Sequence, residues 1–202
     1  MVLREVKNSY FIHFRTDHVL SRAASKLSEK FRALDQARIV SGRFPGENGL
    51  PYKKEAFNGV FLPTELEKAD QAFQEIGLGP GHTFVDLGGG DARIAFLAAM
   101  YGAKSVSIEG DKEIHRLAME NQALLGKEKA FDRIKKVGLV RGDFFRQDLS
   151  SFNTVFVYYP DSGDVIDFSD RLDFKLKSQL QAGSRHLWNS YRSRTCHVTE
   201  FC

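Results

Sequence analysis

Near its middle the sequence reads Val85-Asp86-Leu87-Gly88-Gly89-Gly90-Asp91-Ala92-Arg93, with three glycines between a short apolar segment and a helix-forming one. Glycines have no Cβ, so the backbone can turn tightly and approach a ligand closely. A helix that begins near Ala92 would present free N–H groups and its positive dipole end to that ligand. Simple turn glycines are the alternative. We favour a ligand-binding loop, because strand, loop and helix come in the order that nucleotide sites require.

The chain beyond this loop alternates between strand-like and helix-like segments. Five apolar segments predict strands, at residues 83–87, 105–109, 137–141, 153–159 and 186–191. Three segments between the strands predict helices, at residues 92–101, 112–125 and 171–181. This alternation indicates an α/β fold, a Rossmann-like doubly wound and mostly parallel sheet with helices on both faces. Ligands bind such sheets at the carboxyl ends of the strands.

The N-terminal part of the chain has a different pattern. Residues 1–59 are predicted to form a helical extension, outside the sheet, to a domain of residues 60–202. Apolar residues at three- and four-residue steps predict an amphipathic helix over His18–Val40. Thr64 is predicted to cap the next helix, with Glu67 completing a capping box. Only 11 residues follow the last predicted strand, so we expect a short or missing C-terminal hairpin.

Composition excludes several classes of protein. The chain has 202 residues, 42% hydrophobic and 27% charged, which is ordinary for a globular protein. Two cysteines make no disulfide scaffold, and no apolar run approaches the roughly 20 residues of a membrane span. With no signal peptide, these features predict a cytoplasmic protein that does not contact the membrane. Cys196, His197 and Cys202 lack the further ligand of a metal site, so no metal is expected.

The formal net charge is +3, unevenly distributed. Residues 1–56 have a net charge of +5 and residues 57–202 a net charge of −2. A solvated helix face explains such a mild excess, and an RNA or other acidic partner is the alternative.

The spacing of the glycine loop separates the nucleotide-binding families. A dinucleotide fingerprint would place its last glycine where this chain has Arg93, and a P-loop would need a following Gly-Lys-Ser/Thr. The remaining pattern is Asp-x-Gly-x-Gly-x-small, on Asp86, Gly88, Gly90 and Ala92. It resembles the first motif of the class I S-adenosylmethionine-dependent methyltransferases, although Ala92 replaces the usual third glycine.

This resemblance implies S-adenosyl-L-methionine as the cofactor and a role for each strand end. Asp86 would hold the methionine amino end through the loop or a water, and the glycines would curve around the cofactor. Glu109 follows Gly90 by 19 residues and ends the next strand, where a carboxylate can accept both ribose hydroxyls. The resemblance further implies that Asp143 accepts from the adenine amino group and that the backbone N–H of Phe144 faces the ring. Asp143 as an ordinary turn residue is the alternative.

Two further motifs narrow the resemblance. Phe61-Leu62-Pro63-Thr64 and Gly90-Asp91-Ala92-Arg93-Ile94 look like segments of the small archaeal and mitochondrial protein-lysine methyltransferases. That likeness implies that the segment with Thr64 folds over the cofactor and that the acceptor is a protein or another amine-bearing molecule. A small-molecule or RNA methyltransferase, and a silent module that only binds the cofactor, remain alternatives.

The fourth predicted strand ends in Val157-Tyr158-Tyr159-Pro160-Asp161, which lacks the Asp/Asn-Pro-Pro-aromatic motif of enzymes that methylate adenine or glutamine. We expect Tyr158 and Asp161 to lie over the methyl group as catalytic residues. An aromatic face and a carboxylate both attract an amine, through cation–π and hydrogen-bond interactions. Packing of the tyrosines under the next helix is the alternative.

Overall fold

The computed structural model describes residues 5–13, 19–40, 63–159, 165–190 and 195–202. Its strands are β1 (Val6–His13), β2 (Thr83–Leu87), β3 (Lys104–Glu109), β4 (Gly138–Arg141), β5 (Thr154–Tyr159), β6 (Arg185–Ser190) and β7 (Thr195–Phe201). Its helices are α1 (Arg22–Val40), α2 (Leu66–Glu75), α3 (Arg93–Tyr101), α4 (Lys112–Leu125) and α5 (Val165–Gln179). None of these helices is long and apolar enough to cross a membrane.

All seven strands form one sheet, in the order β1-β7-β6-β5-β2-β3-β4. Strands β2 to β6 are parallel, and β2 lies at their centre, with Val85 opposite Val106 on one side and Val155 on the other. This arrangement confirms the predicted Rossmann-like α/β class. The chain reverses its strand order at β2 and β5, which places the glycine loop after β2 at the crevice where such sheets bind ligands.

The two chain ends complete the sheet together. β7 runs antiparallel to β6, and β1 pairs antiparallel with β7 from Val6 opposite Phe201 to His13 opposite Thr195. The prediction that the N-terminal residues lie outside the sheet is therefore wrong for β1. Along β1 only Ile12 is buried, so its side chains show no alternation that would predict a strand. The short C-terminal tail supplies one antiparallel strand, and the N-terminus supplies the edge strand beside it.

Helices cover both faces of the sheet. Helices α1, α2 and α3 pack on one face through a core that includes Phe31, Phe73, Phe84 and Phe96. On the other face, Leu172 and Leu176 of α5 and the following Leu180 pack with the valines of β2 and β5. Burial on both sides explains why the central strands are continuous apolar runs.

The start of α2 differs from the predicted capping box. The helix begins at Leu66, and its N-cap residue is Glu65, whose side chain makes no capping hydrogen bond. Thr64 is therefore not the N-cap, and Glu67 instead accepts a hydrogen bond from Ser28 of α1 at 3.2 Å. This contact joins the two helices. The capping prediction failed because the partner of Glu67 is distant in sequence.

Candidate functional site

In the loop between β2 and α3, three alternate residues have backbone angles in the left-handed region. Gly88, Gly90 and Ala92 have φ angles of +72°, +56° and +66°. Glycine adopts this region freely, whereas alanine is strained there by roughly 1–2 kcal/mol. Ala92 is the one described non-glycine residue with a positive φ. Its strain persists because neighbouring contacts hold the loop in place.

The middle glycine is required by packing rather than by its φ angle. A Cβ on Gly89 would overlap Oγ of Ser107 on β3 and would lie 3.0 Å from Oδ2 of Asp86. The N–H groups of Gly88 and Gly89 both donate to the carbonyl oxygen of Ile108, at 2.9 and 3.1 Å. The loop therefore lies directly on the end of β3.

Asp86 is buried at the end of β2, with 3% of its surface exposed. Its Oδ2 atom receives no hydrogen bond from the described part of the chain. Burial raises the pKa of this carboxyl well above its usual range, and the negative charges of Glu109 and Asp91 raise it further. A buried carboxylate without a partner is costly, so this oxygen suits a proton or a cationic ligand group.

Glu109 at the end of β3 is oriented by the loop itself. Its Oε2 accepts from the Gly90 N–H at 2.9 Å, and its Oε1 accepts from the Asp111 N–H at 2.8 Å. Burial raises the pKa of this carboxyl, and the backbone hydrogen bonds oppose that shift. Each carboxylate oxygen can accept a second hydrogen bond, so the group retains capacity for a pair of ligand hydroxyls.

Asp143 follows β4 and lies in a turn, which is the alternative that the sequence left open for this residue. Its Oδ1 accepts from the Phe145 N–H at 2.8 Å, which caps a single turn of 3-10 helix at Phe144–Arg146. Phe144 is half-buried and contacts the rings of Phe145 and Phe168 at centroid distances of 4.6 and 6.0 Å. The Gly142 N–H donates to the Glu109 carbonyl oxygen at 3.0 Å, so the ends of β3 and β4 are joined.

The structure gives less detail on the remaining candidate residues, Tyr158, Asp161 and Thr64. Tyr158 is near the carboxyl end of β5, half-buried against the core on the side of α1 to α3. Asp161 lies outside the described residues, so the pair of Tyr158 and Asp161 stays a prediction. Thr64 is buried just before α2.

A pocket of about 320 Å³ opens where three helices meet, near the start of α2 and α3. Both helices begin at the edge of the sheet that holds the glycine loop, because α2 precedes β2 and α3 follows it. The wall contains carboxylates and guanidinium groups in addition to Phe31: Arg32, Asp35, Glu65, Glu67 and Arg93.

Two contacts that anchor the loop were not found from the sequence. Arg93 and Asp91 form an ion pair, with Nη2 and Oδ2 2.7 Å apart. Asp35 of α1 joins the same guanidinium at 3.0 Å, and Asn121 of α4 donates to the carbonyl oxygen of Asp91 at 3.0 Å. In the sequence, Asp35 and Asn121 are simply polar residues within amphipathic helices, and this does not identify the residues that they contact.

No protein-family model matches this chain, and no curated protein matches it in sequence. Solved structures do resemble it. An RNA methyltransferase from Salinibacter ruber, in complex with S-adenosyl-L-homocysteine, is 22% identical, with a match that covers 69% of this chain and 93% of that chain, and a TM-score of 0.57. A protein-L-isoaspartate O-methyltransferase is 18% identical, with coverage of 85% and 51% and a TM-score of 0.53, so this chain spans about half of its length.

The glycine loop, the buried Asp86 with its unpartnered Oδ2 and the oriented carboxylate of Glu109 lie at one edge of the sheet, where doubly wound sheets bind their ligands. Together with the sheet order and the two solved structures, they lead to one conclusion about the fold. The chain has the fold of the class I S-adenosylmethionine-dependent methyltransferases.

Proposed function

We propose that this protein binds S-adenosyl-L-methionine and transfers its methyl group to an acceptor. The observation that carries the proposal is the buried Asp86 carboxyl with its unpartnered Oδ2, one strand away from the oriented carboxylate of Glu109. Asp86 would face the methionine ammonium group and Glu109 the ribose hydroxyls. Asp143 and the backbone of Phe144 would contact the adenine, and Thr64 would lie over the cofactor.

The bound cofactor supplies a methyl group on a sulfonium, which is an excellent leaving group. The protein therefore needs no strong acid. Its side chains have to align the acceptor lone pair, exclude water and remove a proton from the acceptor. An amine acceptor has an ordinary pKa near 10.4, so desolvation or a carboxylate such as Asp161 has to favour its neutral form.

We propose an amine acceptor, with protein lysine as the first candidate. The resemblance of the segments around Thr64 and Gly90 to protein-lysine methyltransferases supports it. So does the pocket beside α1, because its three carboxylates, from Asp35, Glu65 and Glu67, outnumber the guanidinium groups of Arg32 and Arg93 and leave a net negative charge that favours a cationic side chain. Helix α1 would then form part of the acceptor site.

RNA is the second candidate acceptor. The basic excess of residues 1–56 favours it, and one of the similar solved structures is an RNA methyltransferase. Incubation of the protein with labelled S-adenosylmethionine and cell lysate, followed by separation into protein, RNA and small-molecule fractions, distinguishes the candidates. We expect label in protein, as methyllysine after acid hydrolysis, and label confined to RNA would contradict the lysine proposal.

Calorimetry with S-adenosyl-L-homocysteine tests the cofactor proposal. We expect Glu109→Ala to weaken binding by about 1–3 kcal/mol, because a charge-assisted contact to the ribose is lost. Glu113→Ala is the matched control, since Glu113 is an exposed carboxylate on α4 that pairs with Arg116 at 2.7 Å. Equal affinity of the two variants would remove Glu109 from the site, and binding of NAD in preference to S-adenosylhomocysteine would overturn the proposal.

The acceptor site has its own test at the end of β5. We expect Tyr158→Phe to retain more transfer than Tyr158→Ala, because the ring face survives only in the first variant. Asp161→Asn should shift the optimum of the pH–rate profile upward if that carboxylate helps deprotonate the amine. Unchanged cofactor affinity in all three variants would separate these effects from the cofactor site, and superimposable profiles would remove Asp161 from catalysis.

A further inference from the structure

Asp91 is the last loop residue before Ala92, and it is buried with 1% of its surface exposed. Its carboxylate accepts from Arg93 through Nε, at 3.0 Å, and through Nη2, at 2.7 Å. Its carbonyl oxygen accepts from Nδ2 of Asn121 at 3.0 Å. Both the side chain and the backbone of this residue are therefore held, and the peptide group between Asp91 and Ala92 is fixed in orientation.

Asn121 lies in α4 with no exposed surface. A buried amide is costly unless it is hydrogen-bonded, and an apolar residue would fill this helix position without that cost. Both ends of the amide are used here. Nδ2 donates to Asp91, and Oδ1 accepts from Nη2 of Arg38 on α1. Arg38 is itself buried, at 6% exposure, and lies 3.8 Å from Asp35.

A second path joins α1 to the loop. Nη2 of Arg93 contacts Oδ2 of Asp35 at 3.0 Å, and its guanidinium lies over the ring of Phe31, 4.5 Å from the ring centre. The flanking carboxylates of Asp91 and Asp35 raise the pKa of Arg93 further above its already high value, so the group stays charged. Helices α1 and α4 thus hold the loop from two directions.

These contacts act where the loop most needs support. Ala92, the next residue, has a strained left-handed backbone, and such strain persists only where surrounding contacts enforce it. On the other side, the Gly90 N–H orients the carboxylate of Glu109. A displacement of Asp91 would carry its neighbour Gly90 with it, and would therefore disturb the hydrogen bond that orients Glu109.

We propose that Asn121 and Arg38 are positioning residues, which hold the glycine loop in its ligand-binding conformation through the carbonyl oxygen of Asp91. The proposal rests on the proposed function, since the ligand in question is S-adenosylmethionine. Neither side chain needs to touch the cofactor. Their effect passes through Asp91 to Gly90 and Glu109.

The adjacent residue provides a matched control. Gln122 also lies on α4, and its Nε2 donates to the carbonyl oxygens of Ile134 and Val137 at 3.0 and 2.8 Å. Asn121→Leu therefore removes a fully buried amide and Gln122→Leu a half-buried one, and each variant loses the hydrogen bonds of that amide to backbone carbonyls. Both variants should lower the melting temperature, but only Asn121 contacts the glycine loop.

Calorimetry on the full chain, well below the lower melting temperature, measures the dissociation constant of S-adenosylhomocysteine. We expect Asn121→Leu to raise it about 5- to 30-fold and Gln122→Leu to leave it within about twofold of the wild-type value. Arg38→Met serves if Asn121→Leu does not fold, with a smaller increase expected. The proposal would be overturned if Asn121→Leu bound S-adenosylhomocysteine as tightly as the wild-type protein, or if Gln122→Leu lost as much affinity as Asn121→Leu.

Hydrogen exchange separates this proposal from the proposed function. Amide exchange at residues 88–92 should be faster in Asn121→Leu than in Gln122→Leu, whether or not any ligand is present. If wild-type protein binds no S-adenosylhomocysteine, the proposed function fails, and the exchange rates still decide whether Asn121 positions the loop. Unchanged loop exchange in Asn121→Leu would contradict the positioning role.

Discussion

Asp86 combines complete burial with two negative neighbours, an arrangement that favours ligand binding at the expense of stability. Its pKa in the folded protein lies above the ordinary 3.8, so the folded state binds the proton more tightly than the unfolded state. The sign follows from linkage: this carboxyl lowers stability increasingly as the pH rises above 3.8 through the raised pKa.

We therefore expect Asp86→Asn to stabilise the free protein at pH 8 by about 1–3 kcal/mol, with a smaller gain at pH 4. Urea unfolding at the two pH values measures the difference. S-adenosylhomocysteine binding should weaken in the same variant, because the charge that faces the ammonium group is lost. Asp132→Asn is the control, since that exposed carboxylate pairs with Lys135 at the surface, at 2.8 Å. Destabilisation by Asp86→Asn at pH 8 would contradict the assignment.

His186 on β6 titrates in the opposite direction. Burial lowers its pKa to about 3, with a smaller contribution from His197, and its Nε2 has no hydrogen-bond partner among the described residues. The neutral ring is favoured in the fold, so its stabilising effect is complete above pH 6.5 and is lost as the pH falls from 6.5 towards 3. We expect His186→Phe to flatten the fall in unfolding free energy over this range, as measured by urea titrations followed by circular dichroism. An unchanged slope would mean that the ring is solvated in solution.

At the scale of the element, helix α4 begins at Lys112, directly after Asp111, whose N–H donates to the carboxylate of Glu109. Its N-cap Asp111 accepts from the N–H groups of Glu113 and Ile114, at 2.8 and 3.0 Å. We expect Asp111→Ala to lower the unfolding free energy by about 0.5–2 kcal/mol, and Asp111→Asn to lower it less, because asparagine also caps helices well. Thermal unfolding of the two variants checks this order, and equal losses would indicate that charge rather than capping is responsible.

At the scale of the whole molecule, the sheet depends on both chain ends. Deletion of residues 1–13 removes β1 and exposes the outer edge of β7, together with the space that Ile12 fills. We expect a loss of at least about 3 kcal/mol in unfolding free energy, from lost main-chain pairing and apolar burial, and a tendency to associate through the open edge. Differential scanning calorimetry and size-exclusion chromatography measure the two effects.

Phe11→Ser is the control for this deletion, because the Phe11 side chain is 56% exposed and its substitution leaves the strand pairing in place. A dispensable N-terminal extension would instead tolerate the deletion without loss of stability.

Local pattern predicted the elements whose partners are close in sequence. The strand at residues 83–87 and the helix at residues 112–125 have the predicted bounds, because their apolar periodicity and flanking glycines are local signals. The order of strand, glycine loop and helix also predicted that Asp86, Glu109 and Asp143 lie at or just beyond the carboxyl ends of neighbouring strands. Strands that are joined by crossover helices run parallel, so their carboxyl ends all lie at the same edge of the sheet.

The tertiary structure alone decided what depends on partners distant in sequence. Strand β1 exists because β7, nearly the whole chain away, offers its edge, and its exposed side chains carry no pattern of their own. Glu67 bonds to Ser28 instead of capping its helix, and Asn121 supports Asp91 from another helix. Sequence alone therefore determined the α/β class and the acidic residues at the strand ends, through local periodicity and turn chemistry. The edge strand and the bracing of the loop follow from packing, since their energies come from groups that meet only in the folded chain.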